Sequence, residues 1–363
     1  MTQPDPAPSS PAPALPAQHP LASGLTASSP LVRALRGDRP ETLPVWFMRQ
    51  AGRSLPEYRE LRVGTAMLDA CLDPALSSEI TLQPVRRHGV DAGIFFSDIV
   101  VPIKLAGVAV DIVPGRGPVL EHPIRTPADV AALRPLEPDA LAPVAEGVAR
   151  TVAELGSTPL IGFAGAPFTL AAYLVEGGPS KDHARARTLM HADPDTWAAL
   201  MAWAADVTGA FLRAQVLAGA SAAQLFDSWV GSLSRADYVE HVAPWSRRAL
   251  SAIDDLGVPR THFGVGSGEV LAEMHAVGAD AMGVDWRIPL DEASRRLGGG
   301  VPVQGNVDPA MLGAPWPVLE AHVRDVVERG RAAPAHVLNL GHGVPPETDP
   351  DVLTRLVGLA HSL

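Results

Sequence analysis

One pattern constrains this chain more than any other. A short apolar run ends in polar residues or glycine, a helical pattern follows, and the unit recurs. The runs are Val45–Met48, Gly93–Phe96, Leu160–Phe163, Ala223–Phe226, His262–Val265, Ala281–Val284, Val301–Gln304 and His336–Leu340. Nearly continuous apolar runs of this length suit strands buried on both faces, as in a parallel sheet. Between them the apolar spacing is helical. In residues 318–329, Val318, Leu319, His322, Val323, Val326 and Val327 share one face, and Gly330 follows as a C-cap. Eight strands alternating with helices predict an α/β chain folded as a single (β/α)8, TIM-type barrel over residues 31–363. Its deep cleft would lie at the C-terminal ends of the strands. A doubly wound open sheet is the alternative. Residues 107–120 read as an inserted hairpin turning at Pro114–Gly117.

Residues 1–30 break the pattern. Prolines 4, 6, 8, 11, 13, 16 and 20 follow one another among alanine and serine. Such a segment buries too little to offset its ordering entropy, so a disordered tail is expected. It has neither the basic and apolar regions of a secretory signal nor the arginines of a transit peptide.

Composition narrows the function. At 47% hydrophobic the chain can build a large core, yet no apolar run is long enough to span a membrane. A net charge of −11 argues against nucleic-acid or anionic-membrane partners. An anionic substrate would need a local basic pocket. Cys71 is the single cysteine, which excludes an intrachain disulfide and a multi-thiolate metal site and fits a reducing cytosol. The histidines show no metal-ligand spacing, so no metal is expected. All but two of the 29 basic residues are arginine, which reads mainly as genome composition.

The expected strand ends carry the polar chemistry. Arg49 and Arg53 flank Gln50-Ala51-Gly52. Two guanidiniums four residues apart can grip carboxylates bidentately, and the same pair could be surface arginines in ion pairs. Asp98 ends the second run, where it could stabilise a developing cation or simply cap a helix. Tyr173 is one of three tyrosines and could equally be a core residue. Ser228 lacks a Gly-x-Ser-x-Gly context, so it is not read as a nucleophile. His342 stands between two glycines at the last strand end, a setting that favours ligand contact.

Two long stretches, Pro44–Arg59 and Gly162–Gly177, resemble the two signatures of the uroporphyrinogen decarboxylase family. Phe96–Ile99, Phe226–Trp229, Gln304–Pro309 and Asn339–Gly343 fall in that family's order. The resemblance covers about residues 31–363. It implies a barrel enzyme, usually a homodimer in the cytoplasm, that uses no metal or cofactor. Its substrate would be uroporphyrinogen III, whose four acetates become methyls in coproporphyrinogen III on the way to haem. It also implies that Asp98 meets the pyrrole N–H groups and the cationic intermediate. Arg49, Gln50, Ala51, Gly52 and Arg53 would hold substrate, with Arg49 a considered proton donor. Tyr173, Ser228 and His342 would touch the substrate edge, Tyr173 and His342 among the catalytic set. Zinc-dependent methyltransferases of similar fold are the nearest rival, and a non-catalytic tetrapyrrole binder is another.

Overall fold

A computed structural model describes residues 15–363. Seven of the eight apolar runs are strands: β1 (Gly93–Ile94), β4 (Leu160–Gly165), β5 (Ala222–Asp227), β6 (Arg260–Gly264), β7 (Ala281–Gly283), β8 (Val303–Val307) and β9 (His336–Leu340). They form one parallel sheet in chain order. β4, β8 and β9 are buried at every position, as their unbroken apolar character requires. The antiparallel pair β2 (Val110–Val113) and β3 (Gly117–Leu120) is the expected hairpin.

The sheet is curled. Gln304 of β8 donates its side-chain amide to Gln224 of β5 at 3.1 Å, although β6 and β7 lie between them. In a flat sheet, three strand spacings of about 4.8 Å would hold them roughly 14 Å apart. The buried amide ladder crosses the interior, and Trp46 joins it by donating to Gln304 at 3.1 Å. A doubly wound open sheet is thereby excluded.

The first run, Val45–Met48, differs from expectation. It makes a single parallel bridge, Val45 to Leu338 of β9, with Leu338 N–H donating to Pro44. On its other side Asp91 N–H donates to the Val45 carbonyl at 2.8 Å. Beyond Trp46 the strand bonds stop. Phe47 N–H donates to the Gln50 side chain and Met48 N–H to that of Asn339. Side-chain acceptors capture these donors before a ladder can continue.

Helices cover the outer face. Helix Pro74–His88 and helix Ala142–Leu155 approach closely because Gly147 has no side chain; a Cβ there would stand 2.6 Å from Ser77 Oγ. The long helix Pro194–Leu217 is keyed to β4 by Gln215, whose amide both accepts from and donates to the Phe163 backbone. Helix Trp316–Gly330 buries Leu319, Val323, Val326 and Val327 as expected, but Val318 in its first turn is half exposed, and Gly330 is its last residue with Arg331 as the cap.

The segment expected to be a disordered tail divides. Residues 1–14 lie outside the described residues. Leu15–Ser29 form turns, with His19, Pro20, Leu21 and Thr26 buried. The His19 ring accepts from Leu21 N–H through Nδ1, so its Nε2–H donates to the Val216 carbonyl at 2.9 Å. Thr26 and Ser221 share a hydroxyl hydrogen bond at 2.8 Å. Composition misses this docking because its partners lie about 200 residues away in sequence.

Candidate active site

Arg49 sits where the first run leaves the sheet. Its φ of 61° is left-handed, a costly conformation for arginine that the surroundings must enforce. The Val344 N–H bond to the Met48 carbonyl, 2.8 Å, ties this turn to the loop after β9. The Arg49 side chain then runs across Gly343, close enough that any Cβ there would collide with its methylenes. Arg53 is exposed beside Tyr58, whose ring packs edge-on against Phe96 at 5.8 Å, just before Asp98. Neither arginine forms an ion pair among the described residues, so the surface ion-pair alternative does not apply.

Gln50 does not face this space. It is fully buried, accepts from Phe47 N–H and donates to the Ala92 carbonyl. Its side chain holds the turn. Ala51 and Gly52 are half-buried between the two arginines.

Asp98 follows β1 by way of the buried Phe95 and Phe96. One carboxylate oxygen accepts from Val100 N–H at 3.0 Å. The other makes no hydrogen bond among the described residues. Asp98 is not the helix cap, since helix Val101–Leu105 starts from Val100 without a side-chain cap; one oxygen braces the preceding turn and one is left over. Burial raises the Asp98 pKa, and the Val100 N–H and the Arg49 charge pull in the opposite direction. The same pair reaches Tyr173, whose phenol is pushed up by burial and by Asp98, with Arg49 opposing.

Tyr173 lies on the buried helix Pro167–Glu176, and its ring stacks on Trp229 at 3.8 Å. Trp229 is placed from below. Buried Asp227, ending β5, accepts the Thr169 hydroxyl at 2.9 Å, and Trp229 N–H points at that hydroxyl oxygen at 3.5 Å. Ser228 is half-buried between them, with no hydrogen bond from its hydroxyl among the described residues.

His342 completes the ring. Burial lowers its pKa to about 4, Arg49 and Arg287 push the same way, and Asp285 opposes. It is a neutral imidazole at pH 7. Trp286 meets it edge-on at 6.4 Å. Arg49, Asp98 and His342 follow strand ends and Tyr173 the helix after β4, and the Arg49 charge acts on each of the other three. Trp229, Trp286 and Arg287 were not singled out from sequence. The available signal for the two tryptophans was an aromatic residue one or two positions after a strand-end aspartate, in Asp227-Ser228-Trp229 and Asp285-Trp286.

Other groupings lie on the outer helices. A recess of about 550 Å³ is lined by Ala184, Arg187, Thr188, His191 and Ala192. His191, Asp237 and His241 bring their ligand atoms within 4.8 Å of one another at the surface. None of these residues belongs to the strand-end set.

A curled parallel α/β sheet carries arginines, an aspartate and a histidine at its strand ends, the end at which enzymes of this class of fold place their active sites. Residues 26–363 match the Uroporphyrinogen decarboxylase (URO-D) family, and the chain belongs to that family. A uroporphyrinogen decarboxylase of Leifsonia xyli subsp. xyli is 69% identical over 96% of this chain and 98% of that one. One of Arthrobacter sp. (strain FB24) is 68% identical over 94% and 99%. Among solved structures, a methyltransferase from Methanosarcina mazei superposes with a TM-score of 0.78 at 20% identity, covering 93% of this chain and 99% of that one. A B12-independent methionine synthase from Shewanella sp. W3-18-1 gives 0.54 at 12%, covering 88% and 96%. These two share the fold alone.

Proposed function

We propose that the strand-end site carries out the reaction of this family, removing CO2 from the four acetates of uroporphyrinogen III to give coproporphyrinogen III. The chain is a carboxy-lyase of haem biosynthesis. The observation that carries the site assignment is the free oxygen of half-buried Asp98 beside an arginine with no ion-pair partner. A pyrrole protonated at ring carbon becomes an iminium-like acceptor. The acetate C–C bond then breaks, CO2 leaves, and its electron pair flows into the ring. A proton delivered to the exposed methylene makes the methyl, and the ring proton departs. Each acetate carboxylate plus one proton thus gives one methyl and one CO2. The substrate serves as its own electron sink, so the chemistry asks for no cofactor and no metal.

In this scheme Asp98 accepts the pyrrole N–H groups and stabilises the cationic ring, a task for a fixed carboxylate in a water-poor site. Arg49, with Arg53 at the rim, grips acetate or propionate. Tyr173 and neutral His342 offer hydrogen bonds at the substrate edge, with Ser228 beside them. The backbone of Ala51 and Gly52 lies between the arginines, where Gln50 shapes the turn.

The segment Pro44–Trp46, bonded to β9 on one side and Asp91 on the other, supports a sheet closed into an eight-stranded barrel. A cytoplasmic homodimer remains the expectation from the family. No described helix is long and apolar enough to cross a membrane. The methyltransferase alternative needs His and Cys ligands for a zinc that activates a thiol. Cys71 is buried in helix Met67–Leu72, with its thiol pushed up by burial.

The test is direct. Purified protein, desalted and treated with chelator, is given uroporphyrinogen III under reducing conditions, and products are separated by chromatography after oxidation. Coproporphyrin as the end product supports the proposal. Unchanged uroporphyrin, with activity restored only by zinc, overturns it.

A further inference from the structure

Two arginines cannot neutralise a substrate with eight carboxylates, and the chain as a whole is acidic. The rim beyond β7 supplies a further cation. Val284 and Asp285 continue β7 inward and are buried. Trp286 then turns toward the loop after β9. It lies so close that a Cβ on Gly341 would fall 2.8 Å from Trp286 Cβ. Arg287 folds back over the Trp286 ring, with its guanidinium carbon 3.9 Å from the ring centroid. One arm reaches Asp285, which is itself held by Gly266 N–H at 2.7 Å. About half of the Arg287 side chain is still exposed.

This is more structure than a surface arginine needs. An exposed ion pair with a long flexible side chain contributes little to stability. Here the aspartate is buried, and the stack on Trp286 fixes the plane of the guanidinium. The remaining N–H donors of the fork are left without partners among the described residues. Pre-ordering in this way lowers the entropy lost when a ligand is gripped. Position adds direction, because the Trp286 ring that carries Arg287 meets His342 edge-on at 6.4 Å.

Resting on the reading of the site given above, we infer that Arg287 is a carboxylate clamp. Trp286 and Asp285 orient it to grip an acetate or propionate at the rim beside His342. It acts in binding rather than in the bond-breaking step, since uniform binding of substrate and transition state moves KM and leaves kcat alone.

The experiment compares wild type, Arg287→Ala, Arg287→Gln and Arg287→Lys in two assays. Steady-state kinetics use uroporphyrinogen III. Equilibrium binding uses uroporphyrin III, the oxidised octacarboxylate that is not turned over. Loss of one charge-assisted contact predicts a rise of about tenfold in both KM and Kd for the alanine and glutamine variants, with kcat held within about twofold. Glutamine preserves the stem over Trp286, so an equal loss there isolates the charge. Lysine keeps the charge without the planar fork and should fall between. KM and Kd unchanged in Arg287→Ala and Arg287→Gln overturn the clamp, as does a fall in kcat at constant KM. A wild-type protein that makes no coproporphyrinogen refutes the site reading instead, and the binding series still reports on Arg287.

Discussion

The side chain of Arg49 lies across Gly343, and the space between them has no room for a methyl group. A Cβ built on Gly343 would come within 2.7 Å of Arg49 Cγ and nearer still to Cδ. Gly343 carries no left-handed φ, so alanine strains nothing in its own backbone. Gly343→Ala therefore acts by displacing Arg49. It should leave the melting temperature within a few degrees of wild type and lower kcat/KM by about a hundredfold, the scale for an ångström of misplacement. Steady-state kinetics beside a thermal melt check this. Equal activity would mean that the position of Arg49 does not matter.

His342 gives a spectroscopic test. Burial and two arginines hold its pKa at about 4. Its NMR ring shifts should stay flat from pH 8 to about pH 5 and move only below that. Arg49→Ala removes one of the charges and should raise that midpoint. Because the folded pKa is depressed, the stability linked to His342 is present above the unfolded value near 6.5. It is lost as pH falls toward 4. His342→Asn should melt with a shallower dependence on pH across that window.

The docked N-terminal segment bears on stability rather than chemistry. Removing residues through Thr26 takes away Leu21, the His19 bond to Val216 and the Thr26 bond to Ser221. Against a protein beginning at Leu15, this truncation should lower the melting temperature by several degrees, from loss of about 2–4 kcal/mol of apolar burial and hydrogen bonding. Turnover at 25 °C should change little, since none of these residues lies at the strand ends.

Much of this architecture was legible in the sequence because buried parallel strands are written as unbroken apolar runs. Where a run failed, at Val45–Met48, side chains of Gln50 and Asn339 took the backbone donors, and no local pattern announces that capture. Arg49, Asp98 and His342 were legible because strand ends followed from the runs. Gln50 is read by its company. Between two arginines it reads as a ligand contact, yet its amide is consumed inside the fold. Trp229 and Arg287 gain meaning only from what they stack on, Tyr173 and Trp286, and Trp229 meets its partner only across the fold. Leu21 and Thr26 sit in a stretch whose composition favours disorder, and only distant partners reverse that.

Asp98 should carry a cost to stability. Burial raises its pKa above the unfolded value, so the folded protein loses stability as pH rises through that raised pKa. Asp98→Asn removes the cost. The variant should melt above wild type at neutral pH, and the difference should vanish below about pH 4, where the carboxyl is neutral in both states. Melting curves across that range check the direction.

Turnover of the same variant tests the account at its centre. Asparagine keeps the size of the side chain and the bond from Val100 N–H, but it cannot offer charge to a cationic pyrrole. A folded Asp98→Asn protein should still bind uroporphyrin III and form coproporphyrinogen about 10²–10³-fold more slowly than wild type. If the carboxylate only braces the turn, asparagine serves as well and the change is nearly silent. A well-folded Asp98→Asn enzyme with wild-type kcat would contradict the account and remove Asp98 from the chemistry.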